Sequence, residues 1–430
     1  MSATLALYAP LAATLAAALL ALLLPWRAAV VAGVLAALGI LASGGVLAAL
    51  VTGAGHAPRS AGILRADPLT AWMLLAIGAV ATIAVTAAPG VLASDTTAER
   101  RRYLVLTQLF LACMCLAVLA DNLGLLWVAV EATTIVTAFL VGHRRTRASV
   151  EAAWKYVVLC SVGVAIAFLG TVCVYAASVA AGGHGFTALD WTYLSATAPH
   201  LDPALTRLAA GLILLGFGTK AGLAPMHAWL PDAHSQAPAP VSALMSGVLL
   251  SVAFSAILRY KAIFDVTLGP GYTRTLLLVG ALGSLAVAAL LLIAQRDYKR
   301  LLAYSSIEHM GLVALGTAFG VKLAVAAVLL HILGHGLAKA VAFCGAGRIL
   351  HAFGSSEIGA VHGLAARAPV LAATFGAAVL ALLGLPPFSL FASELGLARA
   401  GFASGHGWAV GIGYALVLVA FVAIVRHAAA

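Results

Sequence analysis

Charged residues lie inside segments of this chain that are otherwise apolar enough to cross a membrane. They are Glu131, Lys155, Lys220, Glu308, Lys339 and Glu394. A charge at the centre of a bilayer costs on the order of 3 kcal/mol on insertion scales, and packing does not offset that cost. Because ionisable residues in such segments usually mark an ion or proton path, we expect these side chains to move ions or protons.

Lys220 and Glu131 are the first pair that we expect to act together. A neutral lysine can accept a proton, and a nearby carboxylate determines how strongly the proton is held. At a separation of about 4 Å and an effective dielectric constant of about 20, the attraction is on the order of 4 kcal/mol. Movement of Glu131 would therefore switch Lys220 between holding and releasing a proton. The alternative is a static ion pair that joins two helices.

Prolines interrupt two of the apolar segments. They are Pro225, Pro231, Pro386 and Pro387. Proline removes a backbone donor and leaves helix carbonyls free, which a membrane tolerates only where protein or water satisfies them. We expect Glu394, which follows the second break, to be the terminal proton site facing the outer exit. His227 lies between the first two prolines and either relays protons or bonds a free carbonyl.

His331, His335 and Lys339 are spaced at i, i+4 and i+8. They drift by only about 80° around a helix over about 12 Å of rise, so they form one polar stripe. Two histidines four residues apart could bind zinc, but the stripe has neither an HExxH glutamate nor a cysteine partner. We predict a hydrated proton relay that Glu308 and His309 could join, and no metal site. Satisfied core histidines are the alternative.

Lys155 follows Glu151 by four residues, where the predicted span begins. One interpretation is an i,i+4 ion pair near the membrane surface. The other is that Lys155 belongs to the proton path.

The composition predicts an all-α polytopic membrane protein. The 430-residue chain is 63% hydrophobic and 9% charged, and a water-soluble protein could not bury that much apolar surface. We count about thirteen transmembrane helices, of which Leu5–Leu24 is the first rather than a cleaved signal. The five cysteines form no CxxC pair, and no phosphate-binding loop or serine–histidine arrangement is present. These patterns point to ion movement and not to covalent chemistry.

The order of the charges predicts two inverted five-helix repeats. In each five-helix repeat the second helix carries a glutamate, the third carries a lysine, and the fourth is broken by proline with a charge nearby. We assign residues 1–100 to an N-terminal three-helix segment, 101–265 to the first repeat and 270–430 to the second. A repeat with an odd number of helices must be inverted relative to its successor, as in secondary transporters. The distribution of loop Arg and Lys favours an N-terminus outside.

Three long motifs resemble the antiporter-type subunits of respiratory complex I and of Mrp cation/proton antiporters. They are KAGLAPMHAWLPDAHSQAPAPVSALMSG, DYKRLLAYSSIEHMGL and HILGHGLAKAVAF. Two further stretches, EATTIVTAFLVGHRRTRASVEAAWKYVVLCSVG and IEHMG, are similar to the membrane subunits of energy-converting group 4 hydrogenases of the formate hydrogenlyase type. The resemblance covers nearly the whole chain.

This resemblance implies a role for each charged position. Glu131 matches the fifth-span glutamate, Lys155 a sixth-span lysine and Lys220 the seventh-span lysine of the family. The eleventh-span relay corresponds to His331, His335 and Lys339, and the twelfth-span charge to Glu394. Proton translocation along a horizontal hydrated axis is the implied mechanism.

The resemblance also implies partners and a location. Redox chemistry in partner subunits would drive the protons, with iron–sulfur clusters there and, in hydrogenases, a nickel–iron site. No cofactor is expected in this chain. The expected partners are other membrane subunits, a peripheral redox arm and lipids, without nucleic acid, in a prokaryotic cytoplasmic membrane.

Two positions depart from the family pattern. Many relatives have lysine or histidine in the eighth span, where this chain has Ser246. A serine can bond water but cannot store a proton at neutral pH, so one hop would depend on water, Glu308 or His309. Relatives usually have a fourteenth helix, and we expect this chain either to be short or to lack its C-terminal part.

Three other functions stay open. The chain could be a subunit of an Mrp-type sodium/proton antiporter, the membrane partner of a zinc protein that captures inorganic carbon, or a structural anchor without transport.

Overall fold

The computed structural model describes residues 2–53 and 58–428, and helices make up nearly all of them. The α-helices are α1 (Ala3–Leu23), α2 (Trp26–Thr52), α3 (Pro68–Ala87), α4 (Pro89–Leu92), α5 (Thr97–Leu119), α6 (Leu123–Val141), α7 (Arg147–Ala180), α8 (Trp191–Thr197), α9 (Pro203–Lys220), α10 (Trp229–Gln236), α11 (Ala239–Leu244), α12 (Leu250–Leu268), α13 (Pro270–Ile293), α14 (Tyr298–Phe319), α15 (Lys322–Phe353), α16 (Leu364–Arg367), α17 (Pro369–Leu382), α18 (Ser389–Ala403) and α19 (Gly407–Ala428). A π-helical segment, Met245–Leu249, joins α11 to α12. Strands β1 (Arg59–Ala61) and β2 (Leu64–Ala66) form one antiparallel hairpin.

Ten helical segments of the described chain are long and apolar enough to cross a membrane. The protein is therefore a multi-pass membrane protein, as the composition predicts. The count of thirteen is not confirmed. The predicted spans outside the ten correspond to α9, α14 and the α17–α18 pair. The first two carry charged side chains, and a proline break leaves α17 with only 14 residues.

The two proline breaks share one backbone design. After α9 the Gly222 N–H bonds the Thr219 carbonyl and the Leu223 N–H bonds the Gly218 carbonyl. After α17 the same pattern appears, with Gly384 and Leu385 as the donors. This is the Schellman ending, which requires a left-handed residue, and the two glycines have φ of 79° and 62°. Both breaks then continue with the sequence Gly-Leu-x-Pro. The inverted relation of the two repeats stays a prediction.

Helix α15 lies at the centre of the molecule. It is 32 residues long and packs against α14, α17 and α18, and also against α3, α11 and the π-helical segment. Every residue of α14 except Arg300 is buried. A helix buried on all sides has no apolar face that a sequence pattern can locate, so the neighbours of its polar residues follow only from the packing.

A buried ion-pair cluster ties the N-terminal segment to α12. Asp67 caps α3 by accepting a bond from the Thr70 N–H at 3.0 Å, and it accepts from Arg259 Nη2 at 2.8 Å and Arg65 Nη1 at 2.9 Å. Both guanidinium groups lie over the Trp191 ring. Burial acts to raise the pKa of Asp67, but the hydrogen bond and charge of Arg259, the Thr70 N–H and the charge of Arg65 together hold that pKa well below its usual range. Asp67 is therefore ionised at neutral pH.

Two glycines of α9 give a matched test of helix packing. A methyl group on Gly216 would collide with the backbone of Ala167 in α7, whereas one on Gly211 would meet nothing within 4 Å. We expect Gly216→Ala to lower the free energy of unfolding by roughly 1–3 kcal/mol, because the two helices must separate.

Gly211→Ala is the control, and it should be neutral or stabilising by up to about 1 kcal/mol, since alanine favours helix. Thermal unfolding of the purified complex in detergent measures both. Equal melting temperatures for the two variants would contradict the close approach of α7 and α9.

Candidate functional site

Lys220 is the last residue of α9 and is completely buried. Its ammonium donates to Thr134 Oγ1 at 2.8 Å and to the Tyr156 hydroxyl at 2.6 Å. The Tyr156 and Thr137 hydroxyls lie 2.5 Å apart. The hydrogen-bond partners of this lysine are therefore hydroxyl groups from α6 and α7. A buried ammonium without a direct carboxylate partner is energetically costly.

Glu131 reaches Lys220 through Thr134 and not directly. The Thr134 hydroxyl donates to Glu131 Oε2 at 3.1 Å, and Ser161 donates to Glu131 Oε1 at 2.8 Å. Among the described residues these two charged groups form no direct salt bridge, so the pairwise contact assumed from the sequence is replaced by a hydroxyl bridge. Because Thr134 accepts from Lys220 and donates to Glu131, its hydroxyl can pass a proton between them.

The break after α9 satisfies its free backbone groups with side chains. The Trp229 indole N–H donates to the Thr219 carbonyl at 2.8 Å, and Ser284 Oγ accepts from the Ala224 N–H at 2.9 Å. Pro225 lies in the break, as predicted, but Pro231 lies in the first turn of α10, where a missing N–H costs little.

His227 also lies in the break between α9 and α10. It is half-buried, and its Nδ1 has no partner among the described residues. The structure does not bring it to the bonded groups around Lys220.

Lys155 lies apart from these buried groups. Its side chain is 49% exposed, with the ammonium 2.7 Å from Glu151 and 3.3 Å from Asp232. Asp232 also pairs with Arg300 of α14 at 3.0 Å. The residue that α7 directs toward Lys220 is Tyr156, one position further along. The structure therefore favours the surface ion pair for Lys155, and its role in a proton path stays a prediction.

Lys339 is the second completely buried lysine of the predicted path. Its ammonium donates to the Leu302 carbonyl at 2.6 Å and also to Ser305 Oγ. The side chains of Ser305 and Ser306 each donate to the same carbonyl at 3.1 Å. Lys339 therefore also bonds only neutral oxygens.

Ser246 lies in the π-helical segment and contacts the same part of α14. Its hydroxyl is 2.7 Å from the hydroxyl of Ser306, and both residues are completely buried. Ser246, which was expected to depend on water, therefore bonds Ser306 directly. Ser306 in turn donates to the Leu302 carbonyl, which also accepts from Lys339. The sequence alone does not pair these two serines.

Histidines from α14 and α15 contact each other on the N-terminal side of Lys339 along α15. His309 Nδ1 lies 3.0 Å from His331 Nε2, and the His309 and His335 rings are 4.9 Å apart between centroids. His331 Nδ1 lies 3.0 Å from the Ser393 hydroxyl of α18. The stripe on α15 therefore contacts His309 of α14, and the proton relay stays a prediction.

Glu308 lies on α14 beside this histidine group, and Glu394 lies on α18, which contacts the group through Ser393. Glu308 precedes His309 on α14 and is buried, and its Oε2 has no partner among the described residues. Glu394 is half-buried in α18, and one of its ligand atoms lies within 4.8 Å of those of His309 and His331. Tyr414 donates to the Glu394 carbonyl at 2.5 Å and holds that turn of α18.

His234 was not among the residues predicted for the site. This residue of α10 is completely buried between Trp229 and Phe343, with ring centroids 6.2 Å and 5.4 Å away, and neither ring nitrogen has a partner among the described residues. It lies on the short helix after the first break, and Phe343 belongs to α15. The available signal was a histidine three residues after Pro231, between two apolar spans.

Residues 120–420 match the family described as NADH:quinone oxidoreductase/Mrp antiporter, transmembrane. The chain belongs to this family. It is 42% identical over 303 residues to a hydrogenase-4 component F homolog of Methylacidiphilum infernorum. The aligned region covers 70% of this chain and 64% of that protein. It is 32% identical over 383 residues to NADH-quinone oxidoreductase subunit N of Desulforudis audaxviator, covering 85% of this chain and 74% of that one.

A solved member of similar fold belongs to the membrane-bound sulfane sulfur reductase, an archaeal respiratory membrane complex. The two chains superpose with a TM-score of 0.87 at 25% identity, over 99% of this chain and 86% of the other. This member of the NADH:quinone oxidoreductase/Mrp antiporter family spans less than two thirds of the length of the Methylacidiphilum infernorum relative. The family resemblance inferred from the motifs is confirmed.

Proposed function

We propose that this chain is the proton-translocating membrane subunit of a redox-driven complex, either an energy-converting hydrogenase or a complex-I-related assembly. The observation that carries the proposal is the bonded chain Lys220–Thr134–Glu131, which lies within apolar helices. Packing alone does not offset the cost of placing a buried ammonium there. A hydroxyl between an amine and a carboxylate can pass a proton from one to the other, and this function would explain why the costly ammonium is present.

The same proposal extends to the partners and the membrane. The chain would work beside other membrane subunits and a peripheral redox arm that carries iron–sulfur clusters and, in a hydrogenase, a nickel–iron site. Its membrane would be the prokaryotic cytoplasmic membrane, with the N-terminus outside. The support for partners is that similar chains are named as subunits of multi-subunit respiratory complexes.

Sodium/proton antiport is the second candidate, because the family description covers Mrp antiporters as well. Both functions use protonatable groups in broken helices, so the coupled ion distinguishes them. A third arrangement, with a zinc protein that captures inorganic carbon, differs in its partner and not in its path.

Proton flux in liposomes tests the proposal. We expect the purified complex, driven by its redox substrate, to acidify one side of the membrane equally with and without sodium. Proton movement that requires a sodium gradient would instead establish antiport. Mass spectrometry of the same sample should find subunits with iron–sulfur clusters, and co-purification of a zinc protein without such clusters would contradict the redox partner.

A further inference from the structure

His309, His331 and Glu394 converge from three helices. One ligand atom from each lies within 4.8 Å of the other two. His309 comes from α14, His331 from α15 and Glu394 from α18. The two histidines are buried and the glutamate is half-buried. Two imidazoles and one carboxylate form a donor set that zinc enzymes use.

The two ring nitrogens already face each other at nearly the separation that a metal requires. His309 Nδ1 and His331 Nε2 are 3.0 Å apart, whereas two nitrogens bound tetrahedrally at about 2.1 Å from one ion lie about 3.4 Å apart. A shift of a few tenths of an ångström replaces the shared proton with a cation. Neutral imidazole has one lone pair, so the ring that now donates this bond must bind the ion as its other tautomer, with its proton moved to the nitrogen that faces away from the ion.

Neighbouring groups hold the ligands as outer-shell partners do. The Ser393 hydroxyl contacts the other nitrogen of His331 at 3.0 Å and fixes the orientation of that ring. Tyr414 bonds the backbone carbonyl of Glu394 and so holds that turn of α18 rather than the carboxylate itself. His309 Nε2 is buried without a partner among the described residues.

We propose that His309, His331 and Glu394 bind a divalent transition metal, with Zn²⁺ as the best fit. Nitrogen donors exclude Mg²⁺ and Ca²⁺, which prefer oxygen ligands. The α15 stripe alone indicated no metal site, because it has neither an HExxH glutamate nor a cysteine partner. The third helix contributes the carboxylate that the stripe lacks.

A metal ion bound at this site would also affect transport, and this effect rests on the proposed function. A bound ion occupies the ring nitrogens that would otherwise pass protons. Zn²⁺ is therefore expected to block proton flux through this chain. Metal binding itself does not depend on whether the chain moves protons.

Equilibrium dialysis of the chelator-treated complex against ⁶⁵Zn²⁺ tests the site. Wild type should bind one more Zn²⁺ per complex than either His331→Gln or Glu394→Gln. Loss of a ligand should weaken binding by more than about 100-fold, since outer-shell changes alone cost 10–100-fold. Ser393→Ala should weaken it by about tenfold through the orientation of His331.

His351→Gln is the matched control, because His351 is an exposed histidine near the end of the same helix. It should bind Zn²⁺ as wild type does. Glu394→Gln keeps the shape of a half-buried side chain, so it decides the result if the His331 variant fails to assemble.

Equal Zn²⁺ binding by wild type and Glu394→Gln would overturn the site, whatever the transport assay shows. Zn²⁺ bound by wild type and lost in the variants would establish the site even in a complex that moves no protons. That second result would count against the proposed function alone.

Discussion

Lys220→Ala will abolish proton translocation while the complex remains assembled. The ammonium that bonds Thr134 at 2.8 Å and Tyr156 at 2.6 Å is the protonatable group between the two hydroxyls. Without it the chain to Glu131 ends at groups that cannot store a proton at neutral pH. Proton flux in liposomes should fall to the level of liposomes without protein.

The fold should tolerate this change. Thr134 keeps its bond to Glu131, and Tyr156 keeps its contact with Thr137. An unsatisfied buried partner costs about 1–3 kcal/mol, and here each hydroxyl retains one bond. Size-exclusion chromatography of the detergent-solubilised complex should therefore show the wild-type assembly.

Lys155→Ala is the matched control. Lys155 is half-exposed and its ion pairs lie at the surface, where such pairs contribute about 0–1 kcal/mol. It should pump as wild type does if its place outside the buried cluster reflects its role. Wild-type pumping by Lys220→Ala would remove Lys220 from the path.

Glu131→Gln separates proton transfer from a purely structural hydrogen-bonding role. Glutamine keeps an oxygen that can accept from Thr134 or Ser161, so a purely structural role would survive the change. A role in proton transfer would not, because the amide cannot take up the proton that Thr134 delivers. We expect pumping to be lost and assembly to be retained.

Lys339→Ala is expected to have the second large effect. Lys339 is completely buried in α15, between the Leu302 carbonyl with its two serines and the histidines one and two turns away. Its removal should interrupt transfer between the serine pair and the histidine group, so that pumping is lost. The Leu302 carbonyl still accepts from Ser305 and Ser306, and the fold should therefore persist.

Lys322→Ala on the same helix is the control for Lys339. Lys322 is exposed at the start of α15 and should tolerate alanine without loss of flux. The same liposome assay measures both variants. Full pumping by Lys339→Ala would show that protons bypass α15, and equal loss in both variants would indicate a general effect on the helix.

Composition and charge placement determined the class of protein and the positions worth testing. A chain this apolar cannot bury its surface as a water-soluble protein, so it lies in a membrane. Charges inside its apolar segments are costly there and mark the positions worth testing. The proline breaks were also predictable, since proline cannot donate within a helix. The exposed position of Lys155 was left open, because a helix turns by about 100° per residue and the sequence does not say whether Lys155 or Tyr156 points inward.

Only the tertiary structure decided which polar groups meet. Thr134 between Lys220 and Glu131, Ser306 beside Ser246, and Glu394 beside two histidines each join residues from different helices. A sequence pattern reports the face of one helix, whereas these contacts depend on how several helices pack together. Helix α14 is an example, because it is buried on almost every side. Its sequence therefore has no periodicity that distinguishes the direction of the Glu308 side chain from that of His309.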